Sequence, residues 1–374
     1  MPACMCSDKL HITQSKIDQY VKCHFNYFCN YILGLRDNAT ASFGYADTGT
    51  FIHRLLEVFI RYTVDENGLN RSISRTELEE VIRKEAKLYI DRIFSSRTTP
   101  SRRQLHLFER LTKLAVVVAS SLYNELLLSS FVPKYLEMRF GNRNSDILPA
   151  FELTLNDKSK ITLEGTVDRL DIFKKNDTVY IKVVDYKTGT KTFSLDEVEQ
   201  GLNIQLLLYM FAICNTTSEK FRKAIGCNEG DSIKPAGIIY VSTALGTIDA
   251  DLNTTTEEII EKAKSNIPRA GLVTDDEDIL LELCHDLNTK YLPGVSQLKD
   301  GTIKGKSLTD DESFAHLEES ITNTLVQIAT DMRGGNANIS PLKLGDKYPC
   351  EYCKMKQFCR VDLKAEEKSD EEEE

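Results

Sequence analysis

KITLEGTVDRLDIFKKNDTVYIKVVDYK, residues 160–187, holds two runs of alternating apolar and polar residues. The alternation predicts strands over 160–173 and 178–186, joined by a hairpin-type turn at Lys174–Asp177. Asp168 lies in the first strand and Asp185-Tyr186-Lys187 ends the second. Side chains alternate faces along a strand, so Asp185 and Lys187 point the same way. If the strands pair, Asp168 joins them at one strand end. Two carboxylates at one point repel unless a cation neutralises them, and oxygen ligands in a partly hydrated site suit Mg²⁺ or Mn²⁺. A lysine one pleat away can activate a water or stabilise the extra negative charge of a phosphodiester transition state.

Working outward, residues 195–214 read as a helix that sets Gln205 and Tyr209 one turn apart on one face. His53 lies in GTFIHRLLEVFIRY, an amphipathic helix over 49–62, and can offer a nitrogen to the same metal. Further helices are expected over 14–35, 75–94, 102–130, 312–333 and near 276–290. Further strands are expected at 136–140, 150–155 and 236–243. Singly, a D-x-K strand or a helical histidine is an ordinary surface or packing feature. Their order along the chain, GTxxH, GxxDR, DYK and then QxxxY, argues for one site.

A second constellation is Cys350-x₂-Cys353-x₅-Cys359. Three cysteines within ten residues point to a metal in a reducing compartment, where disulfides are rare. Zinc or an iron–sulfur cluster normally takes four ligands, and YPCEYCKMKQFCRVD offers neither a fourth cysteine nor a histidine. The fourth must come from elsewhere, with Cys4, Cys6, Cys23, Cys29, Cys214, Cys227 and Cys284 as candidates. A zinc-binding interaction module would explain the cysteines but not the DYK array.

The chain of 374 residues carries a formal charge of −10. EEKSDEEEE at 366–374 contributes −6, leaving −4 for the rest, which excludes nucleic-acid binding by bulk positive charge. Arg97, Arg102, Arg103, Arg110 and Lys113 form a basic stretch that can supply local phosphate contacts. No run of 18 apolar residues and no secretory signal are present, so the expectation is a cytoplasmic protein outside the membrane. Gly301-Thr-Ile-Lys-Gly305-Lys306-Ser307 imitates a phosphate loop, but it is one residue short between its glycines and follows no apolar strand.

Together SKIDQYVKCHFNYF, GTFIHRLLEVF, LEMRFG, LEGTVDRLDIF, VVDYKTG, GLNIQLLLYM, PAGIIYV and the final cysteines make the chain resemble, over about residues 10–362, the RecB-like PD-(D/E)XK nucleases. The likeness is strongest to the AddB-type C-terminal nuclease region of bacterial AddAB helicase–nucleases. The resemblance implies an α/β fold with a mixed central β-sheet flanked by helices. It implies N-terminal helices tied to the C-terminus by an iron–sulfur cluster. It assigns Mg²⁺ (or Mn²⁺) to His53, Asp168 and Asp185, catalysis to Asp168, Asp185, Lys187, Gln205 and Tyr209, and a [4Fe–4S] cluster to Cys23, Cys350, Cys353 and Cys359. His24 stands where the family commonly has proline. The implied activity is exonucleolytic hydrolysis of DNA, on the 5′-ended strand, in double-strand-break processing with an AddA-like partner subunit. Alternatives are a stand-alone CRISPR-associated type of iron–sulfur nuclease and a non-catalytic DNA-binding scaffold. The implied organisation is a helical part over 1–135, a catalytic core over 136–250, a helical part with the cysteines over 251–362, and an acidic disordered tail over 363–374.

Overall fold

A computed structural model describes residues 9–35, 45–65, 68–94, 99–141, 151–155, 157–189, 193–245, 247–249, 251, 253–345 and 347–361. Cys4, Cys6, Arg97 and the acidic tail lie outside the described residues.

The predicted pair of strands forms the centre of a mixed sheet. In chain order, β1 is Lys9–Thr13, β2 Val132–Phe140, β3 Phe151–Thr154, β4 Lys160–Lys175, β5 Thr178–Lys187, β6 Ser232–Ser242, β7 Arg269–Thr274 and β8 Leu308–Thr309. The path through the sheet runs β1, β4, β5, β6, β7, β8, with β2 and β3 also pairing β4. The 16-residue β4 divides its labour. Its first half lies between parallel β1 and antiparallel β3, and its second half between antiparallel β2 and β5. Strands β5 and β6 run parallel, β6 and β7 antiparallel, and β7 and β8 parallel. The sheet thus draws strands from 9–13 and 269–309 as well as from 136–250.

Helices cover both faces, as an open mixed sheet requires. On one face α1 (Gln14–Lys22), α2 (Gln205–Cys214) and α3 (Asp311–Gly334) pack Ile17, Leu207, Phe211 and Leu325 against Leu170, Val183 and Ile238. On the other, α4 (Tyr45–Thr63), α5 (Arg75–Ile93) and α6 (Arg102–Leu127) pack Phe51, Phe59, Ile82 and Leu122 against Val184, Tyr186 and Ile239. The alternation along β5 sorts these residues. Val183 faces one layer, Val184 and Tyr186 the other, and Asp185 and Lys187 continue the Val183 face.

Two predicted helices are broken. The helix expected over 14–35 stops at Cys23, whose backbone is extended. There the main chain leaves its own ladder: Phe25 N–H donates to Asn338 O at 3.1 Å and Leu342 N–H to Lys22 O at 3.0 Å. The helix expected over 195–214 is a turn at Leu195–Glu199 followed by α2. Between them Gly201 and Asn203 adopt positive φ, +84° and +56°. Gly201 sits so close to α3 that a Cβ would meet the Ile328 side chain at 2.8 Å. The helix near 276–290 covers only Glu277–Leu283. Gly301–Ser307 includes a short hairpin strand, Ile303–Gly305, so the phosphate-loop likeness has no structural counterpart.

A cluster of charged side chains, all at most 3% exposed, lies between α6 and the sheet. Glu125 of α6 receives Arg169 at 2.9 Å, Arg269 at 2.9 Å and Lys182 at 3.3 Å. Asp171 takes Arg169 at 2.9 Å and Lys182 at 2.9 Å. Burial raises the Glu125 pKa, but the Lys182, Arg269 and Arg169 charges outweigh it and hold the group at about 2. Removing this carboxylate takes from Arg269 its carboxylate partner and leaves Arg169 and Lys182 to share Asp171. Glu125→Gln is therefore expected to lower the unfolding free energy by about 3–5 kcal/mol at neutral pH. A group whose pKa is depressed contributes stability above its unfolded value near 4.5 and loses it as pH falls through the folded value. Urea titrations should show the gap between wild type and variant closing as pH falls from 4.5 toward 2. A pH-independent gap would contradict this account.

Candidate active site and cysteine site

The ladder between β4 and β5 pairs Arg169 with Val184, so one step further sets Asp168 opposite Asp185. Across the other edge of β4, Leu136 pairs Arg169 and Met138 pairs Val167, which sets Glu137 opposite Asp168. Three carboxylates thus form one row across the adjacent strands β2, β4 and β5. Glu137 holds φ at +50°, a conformation costly for a residue with a side chain and tolerated mainly where a site demands it.

His53 of α4 reaches this row from the second helical layer. Its Nε2 lies 2.6 Å from the Tyr186 carbonyl, which can only accept, so Nε2 carries a proton. Nδ1 then faces Asp168 Oδ2 at 3.4 Å and Glu137 Oε1 at 3.8 Å. Ligand atoms of His53, Glu137 and Asp168 all lie within 4.8 Å of one another. Asp185 stands next to this group rather than inside it. Its Oδ2 is 2.7 Å from Lys187 Nζ, an ion pair lacking hydrogen-bond alignment, and is otherwise buried with no hydrogen-bond donor. The main chain of one residue organises the two sides: the Tyr186 N–H donates to Asp168 Oδ2 at 2.8 Å while its carbonyl receives His53. The Tyr186 ring points into the opposite layer, where Arg169 donates to its hydroxyl at 3.2 Å.

The electrostatics match a crowded acidic row that Lys187 and His53 only partly compensate. Burial and the neighbouring Asp185 charge push Asp168 up to about 7. Burial opposes the charged form of His53, but Glu137 and Asp168 prevail and raise it to about 9. These donors fit a hard divalent cation: carboxylate oxygens, one imidazole nitrogen oriented by a backbone carbonyl, and a buried carboxylate oxygen with no donor.

The α2 residues lie alongside. Gln205 Nε2 donates to the Tyr209 hydroxyl at 3.0 Å. The Tyr209 hydroxyl occupies the space over Gly165, where a Cβ would come within 2.2 Å of it, so glycine in GTVD lets the tyrosine lie against β4. Burial, with smaller contributions from the Asp185 and Asp168 charges, raises Tyr209 to about 12. A cleft of about 560 Å³ opens over His53, Glu137 and Lys187, with Gly49, Thr50, Arg54, Glu57, Arg139 and Thr188 among its walls.

The second constellation also assembles. Cys23, Cys350, Cys353 and Cys359 line one small cavity with Phe25, Pro349 and Met355. Cys23 is brought there by the extended residue that ends α1 and by the two backbone bonds across Lys22–Phe25. His24 turns away: its Nδ1 is 3.2 Å from Ser340 Oγ and its ring stacks on Tyr20 at 4.2 Å. Cys29 is buried nearby but does not line the cavity; burial and the Cys353, Cys23 and Cys359 charges raise its pKa. Among the described residues Cys214, Cys227 and Cys284 lie elsewhere, and all described cysteines are free thiols. Four convergent thiols suit a soft metal centre, zinc or iron–sulfur.

The family model of the PD-(D/E)XK nuclease superfamily matches residues 11–360. The chain belongs to this superfamily. Among curated proteins, the B-type subunit of an ATP-dependent helicase/deoxyribonuclease from Clostridium acetobutylicum is 30% identical over 97% of the chain and 31% of its own length. The protein of that name from Thermoanaerobacter pseudethanolicus is 30% identical over 96% of the chain and 30% of its own length. That from Clostridioides difficile is 28% identical over 93% and 30%. The chain therefore spans about a third of the length of these curated relatives.

Against this PD-(D/E)XK frame, His53, Asp168, Asp185, Lys187, Gln205 and Tyr209 come together as one neighbourhood. Sequence reasoning missed Glu137. Its only signal is an acid in the alternating strand LEMRF, where glutamate is disfavoured. Of the basic stretch, Lys113 is taken up by Glu109 at 2.8 Å. No helix among the described residues is long and apolar enough to cross a membrane.

Proposed function

We propose that this chain is a divalent-metal-dependent deoxyribonuclease, the nuclease portion of an AddB-like protein acting with an AddA-like partner. By the family resemblance, its reaction is exonucleolytic removal of nucleotides from a 5′-ended strand during double-strand-break processing and recombinational repair. The observation that carries the proposal is the row Glu137–Asp168–Asp185, with Lys187 one pleat beyond it and His53 above it.

On this reading His53 Nδ1 and the three carboxylates would hold Mg²⁺ or Mn²⁺. The bound ion would supply charge neutralisation at the phosphate and a water acidic enough to attack it. Tyr186 positions two of these residues through its main-chain N–H and carbonyl. Lys187 presents its ammonium, paired with Asp185 and 30% exposed toward the cleft, where negative charge grows in the transition state. The Gln205–Tyr209 pair is placed to orient the phosphate or the attacking water.

The cysteine site belongs to the same proposal. Cys23, Cys350, Cys353 and Cys359 would carry a [4Fe–4S] cluster that ties the N-terminal helix to the C-terminal segment. The fit rests on four thiols around one cavity, with His24 engaged elsewhere.

The test is Lys187→Ala. Because the carboxylates remain, calorimetry should find divalent-cation binding near wild type, while DNA cleavage falls by about 10²-fold or more. Loss of metal binding together with activity would give Lys187 a structural role. Unchanged cleavage would remove it from the reaction.

A further inference from the structure

The cleft over the acidic row carries three long cations, and they are not equivalent. Lys187 is paired with Asp185. Arg54 is held by Glu85 at 2.8 Å and Glu57 at 3.0 Å. Arg139 lines the same cleft from an exposed position on β2, and no ion pair engages it among the described residues. A guanidinium left without a carboxylate beside a row of three carboxylates is unusual. It avoids the anions already present and remains available to one that arrives.

Its place in the strand gives the distance. Arg139 is two residues beyond Glu137, and both line the cleft. Two strand residues span roughly 7 Å, on the order of one step between neighbouring phosphates of a nucleic-acid strand. A phosphate at the acidic row would therefore leave its neighbour within reach of Arg139. The planar guanidinium suits two phosphate oxygens at once, which a lysine at this position would not match.

We propose that Arg139 is a DNA-positioning residue, gripping the backbone phosphate adjacent to the one at the acidic row. The inference rests on the nuclease reading for its choice of ligand. A backbone contact of this kind fixes the register of the strand and carries no base preference.

The experiment compares wild type, Arg139→Ala and Arg139→Lys on a fluorescent single-stranded oligonucleotide. Anisotropy with Ca²⁺ is measured across a salt series, and cleavage with Mg²⁺ is followed in parallel. Arg139→Ala should weaken binding about tenfold, the size of one lost charge-assisted contact. It should flatten the slope of log affinity against log salt by about 0.7, one phosphate contact on a single strand. Arg139→Lys should restore the slope and only part of the affinity. Because the side chain is exposed, melting temperatures should agree among the three proteins. Wild-type affinity and slope in Arg139→Ala, with wild-type cleavage intact, would overturn the Arg139 assignment and leave the nuclease reading standing. Weakened binding by Arg139→Ala with no wild-type cleavage would do the reverse. Failure of wild type both to bind and to cleave would overturn both.

Discussion

Asp185→Ala is expected to reduce DNA cleavage by about 10³-fold, roughly 4 kcal/mol of transition-state stabilisation, without unfolding the protein. The loss follows from the row of carboxylates: Asp185 stands opposite Asp168, two residues before Lys187 on the same strand. The retained fold follows from the same geometry. Asp185 Oδ2 is buried with no hydrogen bond and only the partly exposed Lys187 ammonium as an ion-pair partner, and after burial its charge is the main reason Asp168 is pushed up to about 7. Removing it relieves repulsion in the metal-free protein, so the melting temperature should hold or rise slightly. Asp168 differs, because it accepts the buried Tyr186 N–H and its loss would strand that donor. Cleavage kinetics and thermal melts of Asp185→Ala are the check. Wild-type activity would remove Asp185 from the site.

Cys23→Ser is expected to lose iron and to lower the melting temperature by on the order of 10 °C. Cys23 and Cys350 are 327 positions apart in the chain. A cross-link closing so long a loop contributes about 5 kcal/mol in the chain-entropy estimate. The control is Cys29→Ser. Cys29 is buried in the helical turn Phe28–Ile32, where burial and then the charges of Cys353, Cys23 and Cys359 raise its pKa, yet it does not line their cavity. That variant should keep its iron and its visible colour. Metal analysis and absorbance spectra decide between the two cysteines. If Cys29→Ser loses iron and Cys23→Ser keeps it, the ligand assignment is reversed. If zinc is found in place of iron, the cluster proposal fails while the four-thiol site stands.

What the sequence revealed, and what it hid, follows from the range of the interactions involved. Strands β4 and β5 are adjacent in the chain, and their alternation and connecting turn are local, so Asp168, Asp185 and Lys187 were legible together. Glu137 was not. Its place beside Asp168 depends on the β2–β4 register, including an irregularity between Pro133 and Tyr135, and on its own left-handed backbone. Strand β1 was missed because KLHIT is five residues long and pairs with β4 some 150 positions away. The breaks at Cys23 and at Gly201–Asn203 were invisible because helical periodicity runs through both. At Cys23 the main chain is tied to Asn338 and Leu342, and Gly201 packs against Ile328, all tertiary contacts. The three C-terminal cysteines formed a local motif. From the residues alone the fourth stayed one of seven candidates; the family resemblance pointed to Cys23, which the extended backbone there brings to the same cavity.

The central claim, that the acidic row with Lys187 hydrolyses DNA with a divalent metal, is tested most directly by one cleavage assay. Single-stranded and duplex DNA, end-labelled, are incubated with the purified chain, with Mg²⁺ or with Mg²⁺ plus excess EDTA. The account predicts progressive loss of labelled strand with Mg²⁺ and none with EDTA. Cleavage that persists in EDTA, or no cleavage by a folded chain that binds Mg²⁺ and DNA, would contradict it.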